Sequence, residues 1–539
     1  MDEIKQFGIQ FPGHAMSAGE KFFYLADVVT DRLNPILVKE TRQALKSRQF
    51  IITFMLLLTV AWLISVFGIM FNGPAIEYGS AGRMFFGWYV GVLGFATLFI
   101  VPFGAFRSML NERDQNTFEL LSISTLSPRQ IVSGKLLSSL VQVFIYYSAI
   151  APFIAFTSLL QGFDLPLVIL LLTGGLLWSV FVSMVAIMLS TLANSRQWQA
   201  INTIGMLALL LGQMLLAFLS GGTAISGNVP FDSEEFWWAI CCMVVGTCSY
   251  LVLAQQIAVS RLTFESGNRS SGIRIVSSIQ FWLVWVGVFG YGCWYGATSI
   301  DDEVIFALAM MSTIHWVIAG LIFSTESEDI SRRVRRCVPQ SRNRRLLYSV
   351  WLPGGRRGLL LLTLHLAALV AIARLPLWPQ WVSDVLMPLP VWDEWVSNAV
   401  TAMALYAFIY VGFGSAVGRL GQLVTPEFRP AHARVLTLLL AALAMIAPYL
   451  PTLFGITRRF DRQSLVQVTN PFWTVDRICS SHSDTPLFIV VLSGAAAIVL
   501  VFNLKALFAG VSDVLTWQSV TASGSPMTNT ESTDAAFPG

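Results

Sequence analysis

Twelve long apolar runs divide this chain of 539 residues, and they limit the folds open to it more than any other feature. Each run approaches or exceeds the ~20 residues that an α-helix needs to cross a bilayer. Hydrophobic residues make up 55% and charged residues 12% of the chain, and soluble domains carry about twice that charge. The sequence therefore predicts an all-α polytopic membrane protein with about twelve transmembrane helices. The predicted runs are 50–71, 85–106, 134–160, 166–192, 200–219, 236–259, 279–298, 303–324, 358–375, 397–417, 433–454 and 486–508.

The distribution of basic residues predicts the orientation of these runs. With the N-terminus inside, the cytoplasmic segments hold 28 of the 34 Lys and Arg. This is the asymmetry of the positive-inside rule, so we expect both termini to be cytoplasmic. The first 49 residues are mixed and charged, unlike a cleaved signal peptide. We expect 50–71 to be an uncleaved anchor.

The runs and the segments between them predict two six-helix halves. A Ser- and Gly-containing polar segment, SRLTFESGNRSSGIR, is typical of a linker between them. The Ser- and Thr-rich C-terminal end is typical of disorder. The predicted parts are a cytoplasmic N-terminus 1–49 with an interfacial helix 34–49, a six-span domain 50–260, a linker 261–278, a second six-span domain 279–510 and a disordered cytoplasmic tail 511–539.

The loop 325–357 of the second half carries nine arginines between Arg332 and Arg357. The simplest interpretation is a positive-inside anchor that contacts anionic lipid. No interleaved aromatic residues or folded module support nucleic-acid binding, and we expect none.

The segment NPILVKETRQALKSRQF precedes the first apolar run. Asn34 as N-cap and Pro35 at the first helical position predict a helix start. The apolar residues largely face away from one polar stripe, which is typical of a helix in the membrane interface. A positively charged anchor with no further role explains the segment equally well. The polar stripe consists of Lys39, Arg42, Gln43 and Lys46.

The stretch Arg113–Leu137 lies between the second and third runs and reads RDQNTFELLSISTLSPRQIVSGKLL. Ser127, Pro128 and Gln130 form a capping-box signature, which predicts that a helix begins near Ser127. An ordinary loop with a helix start is one interpretation. A small platform that contacts another protein at the membrane surface is the other.

Together, an interfacial helix, two spans, a T-x-E-L-L-type stretch and a proline-containing helix start resemble permeases of the type-2 ATP-binding-cassette (ABC) exporters. LSTLANSRQWQAINTIG, at the end of the fourth run, adds a weaker match. The resemblance covers about residues 34 to 260, and the second half has no second T-x-E-L-L stretch. The resemblance implies a coupling helix that docks on an ATPase. The implied coupling residues are Thr117, Phe118, Glu119, Leu120 and Leu121, closed by Ser127, Pro128 and Arg129.

The implied energy source is a separate chain, because no G-x-x-x-x-G-K-[ST] motif occurs in this one. The expected partners are an ATP-binding subunit acting as a dimer, membrane lipids and a second permease copy. The family type suggests a bacterial inner membrane. The apolar spans favour a lipid-like or amphipathic cargo without identifying it.

Other classes of function remain as alternatives. An ion-coupled carrier usually needs ionisable groups inside the membrane, and these spans have almost none at depth. A membrane scaffold without transport activity also stays open. We expect no enzyme, no cofactor and no metal site, because no H-E-x-x-H, G-x-S-x-G or Cys/His cluster with ligand spacing occurs.

The predicted topology can be tested with single cysteines in a variant whose six native cysteines are replaced by alanine. Ser233→Cys, between the fifth and sixth runs, should react with a membrane-impermeant maleimide in intact cells. Ser195→Cys, between the fourth and fifth runs, should react only after permeabilisation. Labelling of Ser195→Cys in intact cells would contradict the orientation, and both positions must react in detergent.

Overall fold

A computed structural model describes most of the chain and supplies the structure discussed below. The residues that it describes are 34–72, 81–114, 126–160, 162, 164–193, 195–227, 229–295, 300–328, 330–336, 338–339, 341–375, 392–425, 427–450, 454, 467–480 and 484–516. Within these ranges all regular secondary structure is helical. Twelve of the helices are long and apolar enough to cross a membrane, which confirms the predicted all-α class and number of spans.

The first six spanning helices follow a short helix, α1, at Pro35–Leu45. The first span is α2, and the second comprises α3, a π-helical segment and α4. The bounds are α2 Arg48–Asn72, α3 Ala81–Gly94, the π-helical segment Phe95–Ile100, α4 Val101–Asp114, α5 Pro128–Thr157, α6 Leu165–Leu192, α7 Arg196–Ser226 and α8 Glu234–Leu262.

The other six spans are α9, α10, α13, α14, α15 and α17. Two short helices, α11 and α12, lie within the predicted basic loop, and α16 precedes the last span. The bounds are α9 Ser271–Tyr295, α10 Asp302–Phe323, α11 Arg332–Arg336, α12 Arg342–Ser349, α13 Gly355–Ala373, α14 Glu394–Val424, α15 Pro430–Ile446, α16 Pro471–Cys479 and α17 Thr485–Thr516.

Two spanning helices continue into segments that are predicted to be linker or tail. The second half of the predicted linker 261–278 belongs to α9, which begins at Ser271. The last span continues to Thr516, so the first six residues of the predicted tail 511–539 are helical. Residues 517–539, where disorder is predicted, lie outside the described residues. The helices continue beyond the apolar residues at both places, and the polar side chains there do not indicate a helix from the sequence alone.

The chain divides into two compact units, Met1–Phe264 and Glu265–Gly539, and each contains six of the candidate spans. The predicted organisation as two six-helix halves with a permease-like first half stays a prediction. In the first unit, aromatic residues of the second and third spans form much of the core. Phe85 lies 6.2 Å from Phe156, and Tyr89 lies 5.7 Å from Phe153, between ring centroids.

The π-helical segment of the second span frees backbone carbonyls for contacts with other helices. Ser179 of α6 donates a hydrogen bond to the carbonyl of Thr97 (2.7 Å), and Gln213 of α7 donates one to the carbonyl of Leu98 (2.8 Å). Trp178 in turn donates to the Gln213 side-chain oxygen (3.0 Å). The segment therefore ties three spans together with polar contacts inside an apolar environment.

The second unit has its core between α9, α10, α13 and α14. Trp316 of α10 stacks on His365 of α13 with ring centroids 3.9 Å apart. Glycine allows these two helices to approach closely at Gly358, where an added Cβ would lie 2.2 Å from the carbonyl oxygen of Phe323.

A buried arginine organises the predicted basic loop. The Arg274 side chain, 0% exposed, contacts Glu326 at 2.6 Å. It also donates hydrogen bonds to Ser270 and to the carbonyls of Leu352 and Gly354. Gly354 has a positive φ of 126°, which glycine adopts without the steric cost of a Cβ.

Arg357 is also buried, where it donates to the carbonyl of Pro353 (2.8 Å) and lies 3.7 Å from Glu328. A guanidinium in such a site holds protein groups together and is unavailable to lipid. The prediction that the nine arginines of 325–357 form one lipid-facing anchor therefore does not apply to Arg357.

Gly358→Ala should destabilise the second unit, because its Cβ would push against the rigid backbone of Phe323. Overpacking of this kind costs about 1–3 kcal/mol. Gly287→Ala is the matched control, since nothing lies within 4 Å of its added Cβ; replacing a helical glycine by alanine is worth up to about 1 kcal/mol in favour of folding. The midpoint of thermal unfolding in detergent, followed by gel filtration, measures both. Equal midpoints for the two variants would contradict the close helix contact.

Candidate functional site

The predicted helix before the first span is present, and it ends earlier than expected. It spans Pro35–Leu45, and the Asn34 side chain accepts a hydrogen bond from the backbone N–H of Ile36 (3.1 Å). Ser47 then caps the next helix by accepting from the N–H of Phe50 (3.1 Å). Because of this cap, the predicted segment 34–49 contains a break rather than one continuous helix. The predicted polar stripe is exposed at all four positions, Lys39, Arg42, Gln43 and Lys46.

The predicted capping box at Ser127 is also present. Ser127 accepts a hydrogen bond from the N–H of Gln130 (3.3 Å), and the Gln130 side chain accepts from the N–H of Ser127 (2.8 Å). Pro128 occupies the first turn of α5, and Arg129 is exposed. The helix start predicted from these residues is confirmed.

Helix α1 packs directly on the beginning of α5. The Asn34 side chain, besides capping α1, donates a hydrogen bond to the carbonyl of Gln130. An added Cβ at Gly134 would lie 2.9 Å from side-chain atoms of Asn34 and Ile36. The absence of a side chain at Gly134 thus permits the close approach of the two helices.

A buried lysine joins this pair of helices to the second span. The Nζ of Lys135 lies 3.1 Å from Glu40 of α1, 3.1 Å from Glu112 of α4 and 2.9 Å from the hydroxyl of Ser108. Ser108 donates its own hydroxyl proton to Glu40 (3.0 Å). We call Glu40, Ser108, Glu112 and Lys135 the Lys135 cluster.

Burial makes the Lys135 cluster a strong structural link. The side chain of Lys135 is 2% exposed, and those of Glu40 and Glu112 are 11% and 13% exposed. A lysine has three N–H donors and no acceptor, and three acceptors from two other helices surround this one. Paired charges in such a site are costly to separate, because an uncompensated charge would remain buried.

The environment of Glu40 favours its ionised form. Burial raises the pKa of the carboxyl group, but the charge of Lys135 and the hydrogen bonds from Lys135 and Ser108 act more strongly in the opposite direction. The pKa therefore lies below its ordinary value of 4.5. Glu40 is consequently charged at neutral pH.

The predicted coupling residues Thr117, Phe118, Glu119, Leu120 and Leu121 lie outside the described residues, so their role stays a prediction. The structure describes the chain on both sides of them, up to Asp114 and again from Leu126. The Lys135 cluster includes a residue just before this gap, Glu112, and one shortly after it, Lys135. It therefore fixes the spacing of the two helices that the undescribed segment connects.

The Lys135 cluster ties α1, which lies outside the candidate spans, to two spanning helices. A displacement of one of these helices would therefore act on the others. Among the residues that the structure describes, no group of three or more His, Cys, Asp or Glu side chains is placed to hold a metal ion.

Comparison with known proteins does not add a family to this description. No protein-family model, no curated protein and no solved structure matches the chain.

Lys135→Met should be strongly destabilising, because it leaves Glu40 and Glu112 buried without their cation. Removing one partner of a buried pair costs about 3–5 kcal/mol. Lys39→Met is the control: Lys39 lies 3.7 Å from Glu112, and its side chain is 59% exposed, so we expect about 0–1 kcal/mol. The midpoint of thermal unfolding in detergent at neutral pH, compared with that of the wild type, measures the destabilisation of each variant.

The triple variant Lys135→Met/Glu40→Gln/Glu112→Gln should recover stability, because it removes the buried carboxylates together with their cation. A loss of stability as large as that of Lys135→Met would contradict the charge argument.

The Lys135 cluster also predicts a pH dependence. Because the pKa of Glu40 is lowered on folding, its contribution is complete above the ordinary value of 4.5 and is lost as pH falls through the folded pKa. Acidification of the wild type should therefore remove the stabilising contribution of Glu40. In Lys135→Met, protonation removes the charge of carboxylates that have lost their buried cation, so the difference in stability between variant and wild type should narrow as pH falls. A gap that stays constant, measured by unfolding midpoints at a series of pH values, would contradict this account.

Proposed function

We propose that this protein is the membrane-spanning permease subunit of an ABC exporter, driven by a separate ATP-binding subunit. The observation that carries the proposal is the Lys135 cluster, which joins the helix before the first span to the ends of the second and third spans. The second and third spans lie on either side of the residues that resemble a coupling helix, Thr117 to Leu121. A docked ATPase would move a segment whose two ends belong to one packed group of helices.

The direction of force transmission follows from the packing. The capping box fixes the start of α5 at Ser127, six residues after Leu121, the last residue of the proposed coupling element. A displacement there would be transmitted along α5, since α5 is a continuous helix from Pro128 to Thr157. The contact at Gly134 and the buried charge of Lys135 would pass part of the same displacement to α1 and α4. The third span would therefore move together with its neighbours rather than alone.

The remaining parts of the proposal follow from the resemblance and from composition. The ATP-binding subunit acts as a dimer, with a second permease copy or the second unit of this chain completing the complex. The membrane is a bacterial inner membrane, with both termini in the cytoplasm. The cargo is lipid-like or amphipathic, in keeping with the predominantly apolar composition of the spans.

The coupling assignment can be tested by copurification with a P-loop ATPase encoded next to this protein. Phe118→Asp and Glu119→Arg, combined, should lower the affinity for that subunit, because central interface residues contribute about 2 kcal/mol or more, which is about thirtyfold in Kd. Glu265→Arg provides a matched control, because its side chain is 95% exposed and it lies outside the proposed docking segment. Binding is measured with purified subunits, and ATP-dependent transport with proteoliposomes.

Two results would overturn the proposal. One is unchanged association of the Phe118→Asp/Glu119→Arg variant with every candidate ATPase, which would remove the coupling assignment. The other is uptake driven by a proton or sodium gradient in liposomes without any ATPase. That result would favour an ion-coupled carrier instead.

A further inference from the structure

The basic segment of the second unit folds into two short helices, α11 and α12, which contain no acidic residue. Between Ile330 and Leu352 the chain has no Asp or Glu at all. The arginines of this segment are Arg332, Arg333, Arg335, Arg336, Arg342, Arg344 and Arg345. All charged side chains of this segment are therefore positive.

A small apolar core holds the two helices in place. Ile330 and Val334 pack with Leu352 and with Val514 of the last span. The hydroxyl of Ser331 donates a hydrogen bond to the carbonyl of Ser266 (2.6 Å). The segment is therefore a fixed part of the second unit.

One face of α12 packs against the protein. Ser349 is fully buried, and Arg345 and Tyr348 are half-buried. These positions follow the i, i+3, i+4 spacing of a single helical face. Arg345 also donates a hydrogen bond to the carbonyl of Pro339 (2.9 Å).

The other face of α12 combines leucine and arginine in a regular order. Leu346 and Leu347 are 48% and 70% exposed, and Arg342, Asn343 and Arg344 are also exposed. At about 100° per residue, the order around the exposed arc is Arg342, Leu346, Asn343, Leu347, Arg344. Two leucines thus lie in the middle of the arc, and an arginine lies at each edge.

The position of α12 in the chain is close to the ends of spanning helices. A spanning helix, α10, ends at Phe323, and the next, α13, begins at Gly355, only six residues after α12 ends. The last span also contacts α12. Exposed leucines at that level can enter the apolar edge of the bilayer, and flanking arginines can extend to the phosphates.

We infer that α12 docks on anionic phospholipid headgroups. Leu346 and Leu347 enter the boundary between headgroups and acyl chains, and Arg342 and Arg344 bind phosphate on either side. The four exposed arginines of α11 add to the attraction for an acidic leaflet. Arg274 and Arg357 take no part, because both are buried in contacts within the protein. The inference does not depend on the proposed transport function.

The test follows one position on the exposed arc of the full-length protein. A fluorophore sensitive to its environment is attached to Asn343→Cys in the variant without native cysteines. The labelled protein, in uncharged detergent, is titrated with short-chain phosphatidylglycerol, phosphatidylcholine or inorganic phosphate. We expect a blue shift with phosphatidylglycerol at concentrations at which phosphatidylcholine and phosphate give none. In nanodiscs containing phosphatidylglycerol, brominated acyl chains should quench the fluorophore.

Charge reversal separates docking from a general effect of net charge. Each basic residue near an acidic membrane contributes about fivefold in affinity, so Arg342→Glu/Arg344→Glu should raise the apparent Kd for phosphatidylglycerol at least about tenfold. Arg196→Glu/Arg269→Glu changes the net charge equally and lies outside α12; we expect its Kd to stay within about twofold. Gel filtration checks that both variants fold.

Three results would overturn the inference. The first is an equal response to phosphatidylglycerol and phosphatidylcholine, and the second is an unchanged Kd in Arg342→Glu/Arg344→Glu. The third is a response that requires an ATP-binding subunit and ignores lipid, which would make α12 a protein-docking surface.

Discussion

The pairing of one buried lysine with two carboxylates determines how α1 and the adjoining ends of the second and third spans fit together. Lys135 uses its three donors on Glu40, Glu112 and Ser108, which come from two other helices. Because Lys135 is buried, these contacts restrict the positions of its partners relative to one another. Glycine at 134 and the capping box at Ser127 place the lysine where this pairing becomes possible. The contacts of α1 with α5 depend on the same arrangement.

The second unit uses a buried cation in a related way. Arg274 has a planar guanidinium with five donors, and its partners are a carboxylate, a hydroxyl and backbone carbonyls. Carbonyl groups at the ends of α10 and before α13 are thereby satisfied without water. A lysine joins side chains in the first unit, whereas an arginine joins backbone segments in the second. Each choice matches the geometry of its donors.

Local chemistry explains what could be predicted from the sequence. The spans follow from the apolar runs, and the starts of α1 and α5 follow from a cap residue, a proline and, at Ser127, a glutamine three positions later. These signals act over a few residues. The polar stripe of α1 was predicted for the same reason, and its four side chains are exposed.

The pairings between distant residues could not be predicted. Glu40 and Ser108 are 68 positions apart, and no pattern within α1 distinguishes a buried glutamate from an exposed one. Lys135 occurs at the start of an apolar run, where it looks like an ordinary positive-inside charge. Arg274 lies in a segment whose Ser and Gly content is typical of a flexible linker. In each case the packing of helices, rather than the local sequence, determines whether the charged side chain is buried.

The π-helical segment Phe95–Ile100 has a consequence for the whole second span. In an uninterrupted α-helix, Ser108 and Glu112 would lie about 140° to 180° around the axis from Phe85, at about 100° per residue. The extra residue that a π-helical turn accommodates reduces this offset by about 100°. The aromatic residues in one half of the span and the polar residues in the other can then both meet α5. A single extra residue thus rotates one half of the helix relative to the other, so that both halves face the same neighbouring helix.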